Sequence, residues 1–111
     1  MSRHVLTVDL RDDPAAIAAY REHHRRVWPE VLDSLRRAGV LEMEILILGR
    51  RLVMVLELSG NLTVRQAFAD YAAAHPRVQE WERMMQPLWE AVPGAPPGEW
   101  WAVMEPVFQL S

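Results

Sequence analysis

The spacing of hydrophobic positions changes several times along the chain, and each change marks a new element. Residues Arg3 to Leu10 alternate, with Leu6, Val8 and Leu10 on one face and Val5, Thr7 and Asp9 on the other, which is the period of a strand. Asp13–Pro14 then reads as a helix start, an N-cap followed by a proline whose missing N–H is harmless in the first turn. From there the period is helical: Ile17, Tyr20, His24, Val27, Trp28, Val31 and Leu35 fall on one stripe. Pro29 cannot donate to the carbonyl of Arg25, so the spacing predicts a helix from Pro14 to about Arg26 and a second from Pro29 to Ala38. Gly39 is the expected left-handed stop.

Alternation resumes over Val40 to Leu48, with Leu41, Met43, Ile45 and Ile47 against Glu42 and Glu44. After a turn at Gly49–Arg50, Arg51 to Leu58 returns as an antiparallel partner, with Leu52, Met54, Leu56 and Leu58 on one side. Thr63 caps a helix over Val64 to Ala74, which His75–Pro76 interrupts. A second helical segment runs from Pro76 to about Ala91, carries Val78, Trp81, Met85, Leu88 and Trp89 at helical spacing, and is kinked at Pro87. Val92 to Gly98 is a Pro/Gly loop, and Trp100 to Leu110 reads as a closing strand, with Pro106 marking an edge or bulge.

Strand, helix, strand, strand, helix, strand is the split βαβ order of a ferredoxin-like α+β sandwich with an antiparallel sheet, here one domain over residues 1–111. Its helices can cover only one face of the sheet. The other face keeps Val5, Val53, Val55 and either Trp101 or Val103, too much apolar surface for a monomer to leave wet. A homodimer formed face to face, closing two sheets into a dimeric α/β barrel, is the expected remedy.

Composition narrows the function. The 111 residues carry 12 basic side chains against 15 acidic ones, a net charge of −3, and every basic side chain is Arg. A weakly acidic domain with no basic tract has little to neutralise phosphates with, which argues against nucleic acid as a partner. There is no Cys, so disulfides, thiolate nucleophiles and Cys-ligated zinc are excluded. No apolar run approaches the roughly 20 residues of a membrane span, and the N-terminus lacks the layout of a signal peptide, so no membrane association and a cytoplasmic location are expected.

Few kinds of chemistry remain. His4, His23, His24 and His75 do not form a metal-ligand spacing, adjacent His23 and His24 face different ways on a helix, and no metal site is expected. No serine sits in a nucleophile elbow, and no glycine-rich loop joins a strand to a helix. What the chain does have is one imidazole, His24, four residues from Tyr20 and four from Trp28, beside a proline break that would open a mouth for a small polar ligand. A His gives or takes a proton near neutral pH. The Tyr and Trp side chains offer flat apolar faces suited to the C–H side of a sugar ring. The competing reading is plain core packing, in which His24, Trp81, Trp89 and Trp101 are satisfied interior residues.

The block Tyr20-x3-His24-x3-Trp28-Pro29-Glu30, followed by Gly39 and by Trp81 in QEWERMM, resembles the L-rhamnose mutarotase family over nearly the whole chain. The resemblance implies a dimeric ferredoxin-like domain without cofactor that interconverts the α and β anomers of a 6-deoxy-L-hexose. It gives His24 the proton-transfer role and makes Tyr20 and Trp81 sugar-binding positions. Trp28, Met43 and Glu82 complete the expected binding set. Family members commonly carry a Trp pair where this chain has Trp81–Glu82, and a Tyr where it has Met43. The WERMM segment and the APPGEWWAVMEPVFQL tail look more like the branch linked to L-fucose, which favours L-fucose over L-rhamnose as substrate. Glu30, Glu82 and Glu99 are unranked candidates for a second proton carrier. Two alternatives share the fold: a haem-binding or antibiotic-type monooxygenase using His24, and a non-catalytic ligand-binding dimer module.

Overall fold

Strand β1 (Ser2–Leu10) holds the sheet together, because it alone pairs with three other strands. A computed structural model describes residues 1–111 and places α1 (Pro14–His24), α2 (Pro29–Arg37), β2 (Val40–Leu48), β3 (Arg51–Leu58), α3 (Val64–Ala73) and α4 (Pro76–Met85) after it. Two short strands follow, β4 (Trp89–Glu90) and β5 (Ala102–Val103). All pairs are antiparallel in the order β2-β3-β1-β4, with β5 also on β1, so the ferredoxin-like sandwich expected from the alternation is the fold.

Register sorts the strand side chains. Leu6, Met54 and Ile45 lie in one cross-strand row, and Val8, Leu52 and Ile47 in the next; these rows face the helices. Leu6, Val8, Leu10, Leu52, Leu56 and Leu58 are at most 1% exposed, each worth about 1.5–3 kcal/mol of transfer free energy, so this face is the core. Opposite rows, Val5–Val55–Glu44 and Thr7–Val53–Leu46, form the helix-free face. Leu46 is half exposed and Leu48 is 85% exposed there. At one end of this face buried Asp9 accepts two hydrogen bonds from the Arg51 guanidinium, at 2.8 and 3.1 Å, which hold its carboxyl below the usual range.

The helices start where their caps stand. Asp13 accepts from the N–H of Ala15 and Thr63 from that of Gln66. His75 Nδ1 accepts from Arg77 N–H, which makes this histidine the cap of α4. Gly39 lies at φ +94°, and its carbonyl accepts from Ser59 N–H, which locks the end of α2 to the end of β3.

Five expectations need correction. Helix α1 ends at His24 rather than Arg26, because Pro29 leaves no donor to continue the ladder. Helix α4 stops at Met85 and passes through one 3₁₀ turn, Gln86–Leu88, so Trp89 sits on strand β4 rather than on a helical stripe to Ala91; Pro87 ends the helix instead of kinking it. The closing strand is only Ala102–Val103, and Val107, Phe108 and Leu110 are exposed, since Pro106 offers no N–H to a ladder. Trp101 packs against the core on the helix side and Val103 pairs with helix-facing Leu6, so the helix-free face rests on Val5, Val53, Val55 and Leu46. A bulge at Leu41 takes that residue out of the alternation and brings Val40 into phase with Met43.

A methyl group on Gly39 would collide with Leu62 Cδ1, on a backbone that L-residues rarely adopt. Gly49, at φ +62°, has nothing nearby. Gly39→Ala is expected to cost about 1–2 kcal/mol, and Gly49→Ala about 1 kcal/mol or less, by denaturant midpoint; equal costs would remove the packing role of Gly39.

Candidate active site

Short helices broken at prolines do not seal the sheet. Between α1, α2, α3 and α4 and the floor of β2 and β3 lies a cleft of about 770 Å³, within the roughly 300–1,000 Å³ of small-ligand sites. Of its 21 lining residues 17 are apolar, so polar groups inside it are held away from bulk water. Helix α1 contributes Tyr20 and His24, β2 contributes Met43 and Ile45, α3 contributes Tyr71, and α4 contributes Trp81 and Glu82.

Tyr20 and His24, one turn apart, stack at 4.1 Å between ring centroids. His24 Nδ1 lies 2.8 Å from the Tyr20 carbonyl oxygen. A carbonyl only accepts, so Nδ1 carries the hydrogen and donates it, leaving Nε2 with the free lone pair. Burial lowers the pKa of the ring from its ordinary 6.5, against the smaller opposing pull of the Tyr20 carbonyl, so His24 is a neutral base at pH 7.

Trp81, 4% exposed, meets His24 edge-on at 5.4 Å and Trp28 edge-on at 5.3 Å. Truncating a Trp packed this way costs about 3–5 kcal/mol, so Trp81 supports the site as much as it lines it. Glu82, the next residue, enters the same cleft with no side chain compensating its charge, and burial raises its pKa from 4.5 to about 7. Burial also pushes up the phenols of Tyr20 and Tyr71, and the charge of Glu82 adds to both shifts, which puts all three near one another.

The cleft gathers Tyr20, His24, Met43, Trp81 and Glu82 of the expected site residues. Trp28 is not among its lining: it backs Trp81 and carries the Arg77 guanidinium 3.7 Å from its own ring centre. His23 touches the edge of Trp81 at 6.3 Å but stays outside the cleft. Glu30 lies near Arg77 at 3.9 Å and Glu99 near Arg65 at 3.5 Å, both away from the cleft, so Glu82 alone of the three carboxylates lines it. Sequence reasoning missed Tyr71. Its signal was the four-residue spacing from Ala67, both buried on α3. No group of His, Asp and Glu is arranged to hold a metal ion, and no helix is long and apolar enough to cross a membrane.

A ferredoxin-like domain that gathers a neutral imidazole, a protonatable carboxyl and aromatic rings around one apolar cleft has the parts for proton transfer to a compact ligand. The sequence matches the family described as L-rhamnose mutarotase over residues 3–110, and the chain belongs to that family. It is 42% identical to an L-fucose mutarotase of Xanthomonas campestris pv. campestris, over 100% of this chain and 90% of that one. An L-rhamnose mutarotase of Jannaschia sp. is 30% identical, over 87% of this chain and 88% of its own. The crystal structure of L-rhamnose mutarotase FA22100 from Formosa agariphila superposes along both full chains with a TM-score of 0.69 at 24% identity, a likeness of fold.

The raised pKa of Glu82 makes a stability prediction. Unfolded, the carboxyl titrates near 4.5; folded, near 7. Below the lower value both states are protonated and stability is full. Between the two the unfolded chain ionises first, so stability falls, and above the upper value the loss is complete. Glu82→Gln is therefore expected to gain roughly 2–3 kcal/mol above about pH 8 and almost nothing below about pH 4, by urea denaturation at both values. An equal change at both ends would mean that the carboxyl is not desolvated.

Proposed function

We propose that the protein is a mutarotase for 6-deoxy-L-hexopyranoses, with L-fucose preferred over L-rhamnose, acting without a cofactor as a homodimer in the cytoplasm. The observation that carries the reaction is the His24 ring: Nδ1 is occupied by the Tyr20 carbonyl, and the imidazole is kept neutral in an apolar cleft. In ring opening, the anomeric hydroxyl gives its proton to Nε2, the C1–O5 bond breaks as C1=O1 forms, and the ring oxygen gains a proton. C1 then turns about C1–C2, and closure on the other face reverses each transfer, so no net proton is consumed. Tyr20 and Trp81 offer their faces to the sugar, Met43 forms part of the floor, Glu82 meets a hydroxyl edge, and Trp28 acts from behind Trp81.

The preference for L-fucose rests on two supports. One is the 42% identical relative named an L-fucose mutarotase. The other is the replacement of a Trp wall and a phenol by Glu82 and Met43. L-Fucose has its axial hydroxyl at C4 and L-rhamnose at C2, and a site that pairs one of them leaves a polar group unpaired with the other, at about 1–3 kcal/mol. The dimer rests on the apolar rows of half-buried Val5, Val55 and Val53 and exposed Leu46, which the helices leave uncovered. The cytoplasm suits a chain without cysteine, which has no use for an oxidising compartment.

Saturation transfer between sugar anomers tests the reading. Wild-type protein should speed exchange of L-fucose more than that of L-rhamnose; a clear reverse preference would overturn the substrate and leave the reaction standing. His24→Ala should slow exchange by roughly 10²–10⁴-fold, while His23→Ala should leave it nearly intact. If the two variants behave alike, the assignment of His24 fails. Sedimentation at micromolar concentration should show a dimer that Val53→Glu weakens; a stable wild-type monomer refutes the sheet-to-sheet interface.

A further inference from the structure

Anomer exchange moves two protons, one off O1 and one onto the ring oxygen, and His24 with Nδ1 already committed has only Nε2 for both. The two sugar oxygens share C1, so the second carrier must reach the same end of the cleft. Among the residues lining the cleft, the only carboxyl is that of Glu82. It stands next to Trp81, whose ring meets the His24 imidazole at 5.4 Å. It also acts on the phenol of Tyr20, which stacks on His24 at 4.1 Å. Glu82 and His24 thus share two neighbours and one cleft.

We propose that Glu82 is the second catalytic acid–base of the site, paired with His24 across C1 of the sugar. The inference rests on the mutarotase reading above. In opening, His24 Nε2 takes the O1 proton while the Glu82 carboxylic acid gives its own to the ring oxygen; the C1–O5 electrons become the new O–H bond, and those of O1–H become the carbonyl. In closure on the opposite face Glu82 carboxylate takes the hydroxyl proton of the open chain as imidazolium returns one to O1. The pair holds one proton throughout and ends each turnover as it began.

The other charged or titratable groups facing the pair are Arg21 and Tyr20 on α1, Arg25 at its C-cap and Tyr71 on α3, with His23 of α1 lowering His24 further from outside the cleft; the sheet floor presents Met43, Ile45, Leu52 and Met54. Arg25 is bonded to Glu22 at 2.7 Å on the exposed rim. Neither phenol ionises at neutral pH, since both are shifted upward. A pair that works with one shared proton fails when doubly protonated and when bare, which gives a bell-shaped profile with limbs below about 6.5 and near 7.

The test measures anomer exchange of L-fucose and L-rhamnose against pH for wild type, Glu82→Gln and Glu82→Ala. Glu82→Gln should lose about 10²-fold in kcat with little change in KM, and should lose the alkaline limb while keeping the acidic one. Formate should restore part of the Glu82→Ala rate, which a purely structural carboxylate would not allow. An active wild type with Glu82→Gln unchanged in rate and profile, or a Glu82→Ala that is slow yet deaf to formate, overturns the proposal and spares the mutarotase reading. A folded wild type that accelerates no sugar overturns both.

Discussion

One apolar cleft, open to water on one side, sets the electrostatics of everything inside it. Desolvation disfavours whichever form of a group is charged, so the same environment acts in opposite directions on a base and an acid. It lowers the imidazole of His24 below its ordinary 6.5 and raises the carboxyl of Glu82 to about 7, reversing the usual order of an imidazole and a carboxyl. No metal, oxyanion hole or strained backbone is needed for that, and no non-glycine residue adopts a left-handed conformation anywhere in the chain. The cost is borne by stability, since a carboxylate without a partner in an apolar wall destabilises the fold wherever it is ionised.

Proline punctuation gives the cleft its shape. Helices α1, α2 and α4 all begin at a proline, and Pro87 ends α4. Four helices of 9 to 11 residues, in place of two long ones, leave between them the cleft that each helps to line. Helices that short are marginal in isolation and depend on packing. Trp81 supplies much of it here, touching Trp28 across the α1–α2 break and His24 at the end of α1. The Trp81 side chain that braces the break also fixes the rotamer space of the imidazole, so packing and positioning of the site are one set of contacts.

On the far side of the sheet the cross-strand rows pass from charged to apolar. Arg3–Glu57–Glu42 is polar, while Thr7–Val53–Leu46 is largely apolar, and the Asp9–Arg51 pair closes the end beside Leu48. A face with charged ends and an apolar middle has the layout of an interface core with a polar rim.

The strands and the Tyr20–His24 face were legible from the sequence alone, because alternation over Val40–Leu48 and Arg51–Leu58 and four-residue spacing along α1 are local periods that tertiary contacts then rewarded. Caps and stops at Asp13, Thr63 and Gly39 were equally local, each being set by backbone groups within a few residues or by one positive φ. The chain's C-terminal quarter was not legible. Trp89 fits a helical stripe as well as a strand, and only pairing with Leu10 of β1, far back in the chain, decides for the strand. Tyr71 and Glu82 escaped ranking for a related reason. Their importance lies in which cavity they enter and how dry it is, and desolvation is a property of the walls that four other elements bring together. The sequence by itself determined which residues could carry a proton; the tertiary structure decided which of them were taken out of water, because burial is the sum of contacts that no local period encodes.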